Sequence, residues 1–178
     1  MRDDPDPGGS ELALLGEYLD YQRETMLSKT DGLTREHLAR KHPPSELTLA
    51  GLLYHLALVE EDWMEVRFSG LPEREPWASV DWDADPNWEF RTATDFGPEQ
   101  LHSRYREACR RSRHIVAQAE GLDQLSIKAL RDGDTSRCGG CYCTSSRRPP
   151  ATLVTQISSA KQSTAQSASN KLTTSSRR

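Results

Sequence analysis

Every aspartate and glutamate in the chain lies at or before Asp134. Up to that point 27 acids face 16 lysines and arginines, a net charge of −11, whereas the remaining 44 residues carry seven bases and no acid. Such asymmetry divides the chain into a body and a tail of different design. Residues 135–178 hold 17 serines or threonines, three of the four cysteines and few large apolar side chains. That composition buries too little apolar surface to offset the entropy of ordering, so it predicts a disordered tail. The acidic, Pro/Gly-rich residues 1–9 predict a flexible lead-in, which leaves residues 10–134 as one domain with its own core. No apolar run approaches the roughly 18–20 residues of a membrane span, and the N-terminus lacks a basic-then-apolar signal; a soluble, cytoplasmic protein is predicted.

The body reads as helices. Leu12, Leu15, Leu19, Gln22 and Met26 draw one stripe at spacings of three and four, with Ser10 as N-cap and Asp31-Gly32 as stop. A short segment opens at Thr34, is anchored by Leu38 and ends at His42-Pro43-Pro44, because a residue before proline is pushed out of the α region. Thr48 caps the strongest helix, in which Leu49, Leu52, Leu53, Leu56, Val59, Trp63 and Val66 recur with helical period until Gly70. Residues 71–95 have no sustained period and predict a long connection crossing the bundle, clamped by Trp77, Trp82 and Trp88; connections of this length are often functional. Pro98 then opens a third long helix through Leu101, Tyr105, Ala108, Cys109, Ser112, Ile115, Val116 and Ala119. An antiparallel bundle of this kind needs a fourth long helix to close its core, and the tail does not supply one.

His55 stands on the apolar stripe of the second long helix. Two readings fit it: a core histidine bonded to a carbonyl or carboxylate, or a metal ligand projecting into the bundle. Spacing alone does not choose. Glu60 and Glu61 on the same helix read either as groups that support a ligand from behind or, the favoured reading, as a solvated face, and His37, His42, His102 and His114, all among polar neighbours, receive no role. Cys109 on an apolar face reads as a small core residue. Cys138, Cys141 and Cys143 give three thiols within six residues and no fourth ligand follows, so they read as isolated cysteines in a polar tail rather than a zinc site.

The run Leu14-Leu15-Gly16-Glu17-Tyr18-Leu19-Asp20-Tyr21-Gln22-Arg23, then Gly32-Leu33-Thr34 and Leu38, then Pro43-Pro44-Ser45 and Leu49-Ala50-Gly51-Leu52-Leu53-Tyr54-His55-Leu56, with Glu60 and Trp63 behind it, resembles the DinB-like superfamily. Within it the match is closest to the subgroup labelled mini-circle proteins, a name taken from a transposable element. The resemblance covers roughly residues 10–133. It implies an all-α four-helix bundle, commonly a homodimer, with a divalent metal (zinc or nickel) at one end of the core. It also implies a metal-dependent transferase or isomerase activity that uses a low-molecular-weight thiol such as mycothiol, the metal lowering the thiol's pKa so that a thiolate is available. The ligand histidine of the family's second long helix maps onto His55. The other ligands come from its final helix, in a pattern like His-x3-Glu-x3-His-x2-His, which this chain does not have. One imidazole cannot hold a zinc ion usefully, so the chain as written is expected to bind no metal and to be inactive or poorly folded.

The tail itself suggests why. If its coding DNA is read in codons built from the last base of one residue's codon and the first two of the next, Thr144, Thr152 and Thr155 supply the last two bases of histidine codons, and Arg147 and Arg148 those of glutamate codons. With permitted wobble bases, residues 136–161 then read Ser-Leu-Arg-Trp-Val-Leu-Leu-His-Ile-Ile-Glu-Glu-Thr-Ala-Arg-His-Leu-Gly-His-Ala-Asp-Ile-Ile-Arg-Glu. This text has helical apolar period, mixed charge and the family's His/Glu spacing, and it predicts that the tail is the product of a frameshift. A second expectation, of another class, is a non-enzymatic binding module whose basic arm touches nucleic acid. It is the weaker one, because seven spread charges without interleaved aromatics give only salt-sensitive contacts.

Overall fold

The computed structural model describes residue 6 and residues 8–41, 45–129 and 135–141, and among them the fold is helical, with no strand and one isolated β-bridge. The long stripes become α1 (Glu11–Thr30), α3 (Leu49–Glu60) and α5 (Pro98–Ala117), with the short α2 (Arg35–Leu38) between the first two and α4 (Trp88–Thr92) in the crossing segment. Their starts follow the predicted caps at Ser10 and Thr48 and the predicted opening at Thr34. Ser10 Oγ accepts from Ala13 N at 3.3 Å, Thr34 Oγ1 from His37 N at 3.3 Å and Thr48 Oγ1 from Gly51 N at 3.0 Å, each satisfying an amide that the first helical turn leaves unpaired. The strongest predicted helix does reach Phe68, but its last eight residues, Glu61–Phe68, are wound as a π-helix. Wide turns of this kind change which side chains share a face and are frequent at functional sites. The expected end of α2 at residues 42–44 and the expected disorder after residue 141 lie outside the described residues.

Three long helices are present among the described residues. Asp20 pairs with Arg113 and Thr30 with His102, so α1 runs antiparallel to α5; Tyr54 lies under Arg104 and Glu61 meets Arg111, so α3 and α5 run parallel. Parallel neighbours need a long return, which residues 71–97 provide. Leu49, Leu53, Tyr54 and Ala57 from α3 and Leu101, Tyr105 and Ala108 from α5 form the main core with Trp77 from the return segment. At the other end of the molecule, Leu19, Met64, Phe68 and Val116 form a second cluster with Cys138 and Cys141. Residues 135–141, assigned to the tail by composition, therefore fold onto the body. Ser126 N donates to Ser136 O at 2.7 Å and Gly139 N to Leu122 O at 3.0 Å, and both cysteines are fully buried rather than isolated in a polar environment. No helix among the described residues is long and apolar enough to cross a membrane.

His102, which polar neighbours in sequence left without a role, is buried between α1 and α5. The Thr30 hydroxyl donates to Met26 O at 2.9 Å and accepts from His102 Nε2 at 2.8 Å. Burial, reinforced by Arg106, holds the imidazole below its ordinary value and favours the neutral form. The unfolded chain then binds this proton more readily, so the fold should lose stability as pH falls below about 6.5, the ordinary histidine value, and go on losing it down to the depressed value. Urea unfolding across that range should show the loss, and His102→Gln should flatten it; an unchanged slope in the variant would remove His102 as the cause.

Candidate functional site

The first turn of α3 sets the site. Gly51 has no side chain where one would collide: a Cβ there would stand 3.0 Å from Phe90 Cδ1 and 3.3 Å from Phe90 Cα. This gap admits α4 directly against α3, and one turn later His55 meets two consecutive residues of that short helix. The imidazole stacks on the Phe90 ring, with centroids 5.0 Å apart and planes at 25°, and His55 Nδ1 lies 3.2 Å from Glu89 Oε1. The His55 side chain is 18% exposed and that of Glu89 only 6%. Both line an open cleft of about 960 Å³ whose other walls include Asp62, Trp63, Arg67, Glu73, Trp82 and Asp83. Arg67 is tied to Asp62 at 2.7 Å and lies over the Trp63 ring, while Glu73 and Asp83 have no cationic partner among the described residues, so the cleft is acidic. The second Glu89 oxygen is buried with no hydrogen-bond partner.

Glu60 and Glu61 do not form the solvated face expected of them. Glu60 is 3% exposed and takes a bidentate contact from buried Arg23, Nε at 2.8 Å and Nη2 at 2.5 Å. Burial opposes the Arg23 charge, but the Glu60 carboxylate more than restores it, and the guanidinium is held above its ordinary range. Glu61 accepts from Trp77 Nε1 at 2.9 Å and from Arg111 Nη2 at 2.8 Å, and Arg111 Nε also reaches Glu65 at 2.6 Å. Burial still raises the Glu61 carboxyl above its usual range against the pull of Arg111 and Arg104. Glu60, at the end of α3, and Glu61 and Glu65 of the π-helix are all buried, held inward by Arg23 and Arg111. These acids join α1, the π-helix and α5, and none of Glu60, Glu61 or Glu65 lines the His55 cleft.

The described thiols stand apart from the cleft as well. Cys109 is a core residue, as expected, and burial together with the nearby Glu60 charge pushes its thiol up to about 12. Burial and the neighbouring Cys141 thiol push Cys138 up to about 11. Thiols so placed are protonated and poor nucleophiles. Cys143 lies outside the described residues.

Of the histidines, cysteines and acids singled out in the sequence, His55 lines the cleft, as do Trp63 of the α3 stripe and the predicted clamp Trp82. The contact of His55 with Glu89 matches the reading of a histidine bonded to a carboxylate. Glu89 was missed. Its signal was an acid held between two aromatics, Trp88 and Phe90, in a segment with no sustained period. Among the described residues no three His, Cys, Asp or Glu side chains converge as metal ligands must, and His55 has Glu89 as its one close carboxylate. The described residues do not fit a metal centre by themselves.

Comparison with known proteins gives the family. No curated protein matches the chain. The model of the mycothiol-S-transferase family matches residues 14–136, which spans α1 to α5, the His55 cleft and the start of the segment that carries Cys138. Its C-terminal limit falls within two residues of Asp134, where the acids end. The match covers more than half of the sequence, and with the helical fold around His55 it places this chain in the mycothiol-S-transferase family, a DinB-like family.

Proposed function

We propose that this chain is the body of a thiol S-transferase whose His55 cleft receives a low-molecular-weight thiol such as mycothiol, and that it is catalytically silent as written. The observation that carries the reading is His55 itself, held from behind by Glu89 and open toward a cleft of about 960 Å³ in a chain of this family. The three described cysteines are buried and none of them lines that cleft, which supports an outside source for the reacting sulfur. In the transfer the sulfur loses its proton and bonds to an electrophilic carbon, whose leaving group departs with its bonding electrons. Silence follows from the donor set, because His55 and Glu89 leave the family's metal ligands unsupplied. A shifted frame of the tail, with permitted wobble bases, would encode the His/Glu spacing that completes them. Nucleic acid draws no support from the described surface here, since Asp62, Glu73, Asp83 and Glu89 around the cleft repel phosphate.

Two proteins test this: the chain as written and one in which the shifted frame follows Asp134. Zinc and nickel content by elemental analysis, melting with and without metal, and mycothiol transfer to a chromogenic electrophile are the readouts. The chain as written should hold no stoichiometric metal, its metal content should not change on His55→Ala, and it should show no transfer. The restored chain should bind about one divalent ion per subunit, melt higher with the ion, transfer the thiol, and lose all three on His55→Ala. Stoichiometric metal in the chain as written, lost on His55→Ala, overturns the missing-ligand reading. A restored chain that folds without any metal-dependent shift makes His55 an ordinary core histidine.

A further inference from the structure

We propose that Glu89 is a positioning residue: it fixes the proton of His55 on Nδ1 and so presents the Nε2 lone pair to the cleft. When the Glu89 carboxylate accepts across the 3.2 Å contact, the hydrogen stands on Nδ1 and a neutral ring has its acceptor at Nε2. This nitrogen has no hydrogen-bond partner among the described residues, and His55 lines the cleft. In a free imidazole neither nitrogen is fixed in this way; here the choice is made by one carboxylate behind the ring. An unshared ring electron pair is what a reacting proton or an electrophilic centre can use, so the tautomer decides whether His55 can act at all.

Two further observations set Glu89 apart from an ordinary surface acid. It is 5% exposed, and its Oε2 is buried without a partner, although a buried carboxylate oxygen left unsatisfied is destabilising. An apolar residue would be less costly at this place, and such local conflicts concentrate at functional positions. The second observation is that the ring's plane and its proton are governed from one element. Phe90, next in sequence, stacks on the imidazole at 25°, and Gly51 provides the gap through which α4 approaches. Orientation about the ring plane therefore comes from Phe90, and polarity along it from Glu89.

The inference rests on the His55 cleft being the working site, but its test does not depend on thiol binding. Full-length protein labelled with 15N is examined by two-bond 1H–15N correlation in alkaline buffer, where histidines are neutral, with His55→Gln to assign the ring. The wild type should show Nδ1 protonated and Nε2 bare, with widely separated nitrogen shifts. Glu89→Gln keeps a carbonyl acceptor and should preserve this pattern. Glu89→Leu, which fills the volume without an acceptor, should move the signals toward the Nε2-protonated form, while Phe90→Leu should leave the tautomer unchanged. A wild-type ring protonated on Nε2, or a Glu89→Leu spectrum identical to wild type, overturns the proposal. If Glu89→Leu fails to fold, the wild-type and Glu89→Gln spectra still decide it. A correct tautomer in a protein that binds no thiol would sink the functional reading and leave this one standing.

Discussion

Glu60→Ala is expected to lower the unfolding free energy by about 3–5 kcal/mol, the range for removing one member of a buried ion pair. Arg23 is 2% exposed, and its Nε and Nη2 both end on Glu60; without that carboxylate, Asp20 at 2.7 Å from Nη1 is the remaining acceptor, itself 41% exposed at its side chain. The guanidinium cannot shed its proton, so the variant leaves a buried charge that only the half-exposed Asp20 compensates. A melting temperature lower by on the order of 10 °C should accompany the loss. The double variant Arg23→Leu/Glu60→Leu removes both charges and keeps apolar volume, so it should be more stable than Glu60→Ala, because the pair's desolvation cost disappears with it. Chemical denaturation of the three proteins checks both statements. If Glu60→Ala costs less than about 1 kcal/mol, as an exposed pair does, α1 is not held to α3 through this contact.

This pair also shows where the sequence was readable. The stripes of α1, α3 and α5, the caps at Ser10 and Thr48 and the opening at Thr34 were visible because helical period and capping chemistry are local, and each cap lies three residues before the amide it satisfies. The inward turn of Glu60 and Glu61 was not. Their partners Arg23 and Arg111 stand 37 and 50 residues away, so the ion pairs that carry these acids into the interior leave no local signal in the sequence. His55 was recognisable from its stripe and its neighbours. Glu89 was not, because the segment around it owes its shape to tertiary contacts of Trp77 and Trp88 rather than to any period of its own. The break at Asp134 marked the family's limit closely, yet composition could not foresee that Cys138 and Cys141 pack against Met64 and Phe68.

Trp77→Ala is expected to cost about 3–5 kcal/mol, the range for emptying a buried tryptophan position, with the loss of a charged hydrogen bond adding to it. Trp77 has no exposed surface. Its ring lies 4.6 Å from Tyr54 and 5.9 Å from Trp88, with the Arg104 guanidinium 4.8 Å above it, and its Nε1–H donates to Glu61 at 2.9 Å. One side chain thus ties the return segment to α3, α5 and the π-helix at once. Trp77→Phe keeps an aromatic ring but removes the donor, so its cost should be smaller, about 1–3 kcal/mol for the unsatisfied Glu61 oxygen and the lost ring volume. Trp82→Ala, at a partly buried position, should cost less than Trp77→Ala. The consequence reaches the cleft, because α4 follows Trp77 on the same segment and Trp88, its first residue, packs edge-on to the Trp77 ring. Loosening that packing frees Glu89 from His55, so Trp77→Ala should weaken the tautomer preference as well as the fold, whereas Trp77→Phe should weaken the fold alone. Denaturation curves and the His55 nitrogen shifts, read on the same samples, separate the two effects. Equal costs for Trp77→Ala and Trp82→Ala would mean that the crossing segment is held by its exposed turns and not by this clamp.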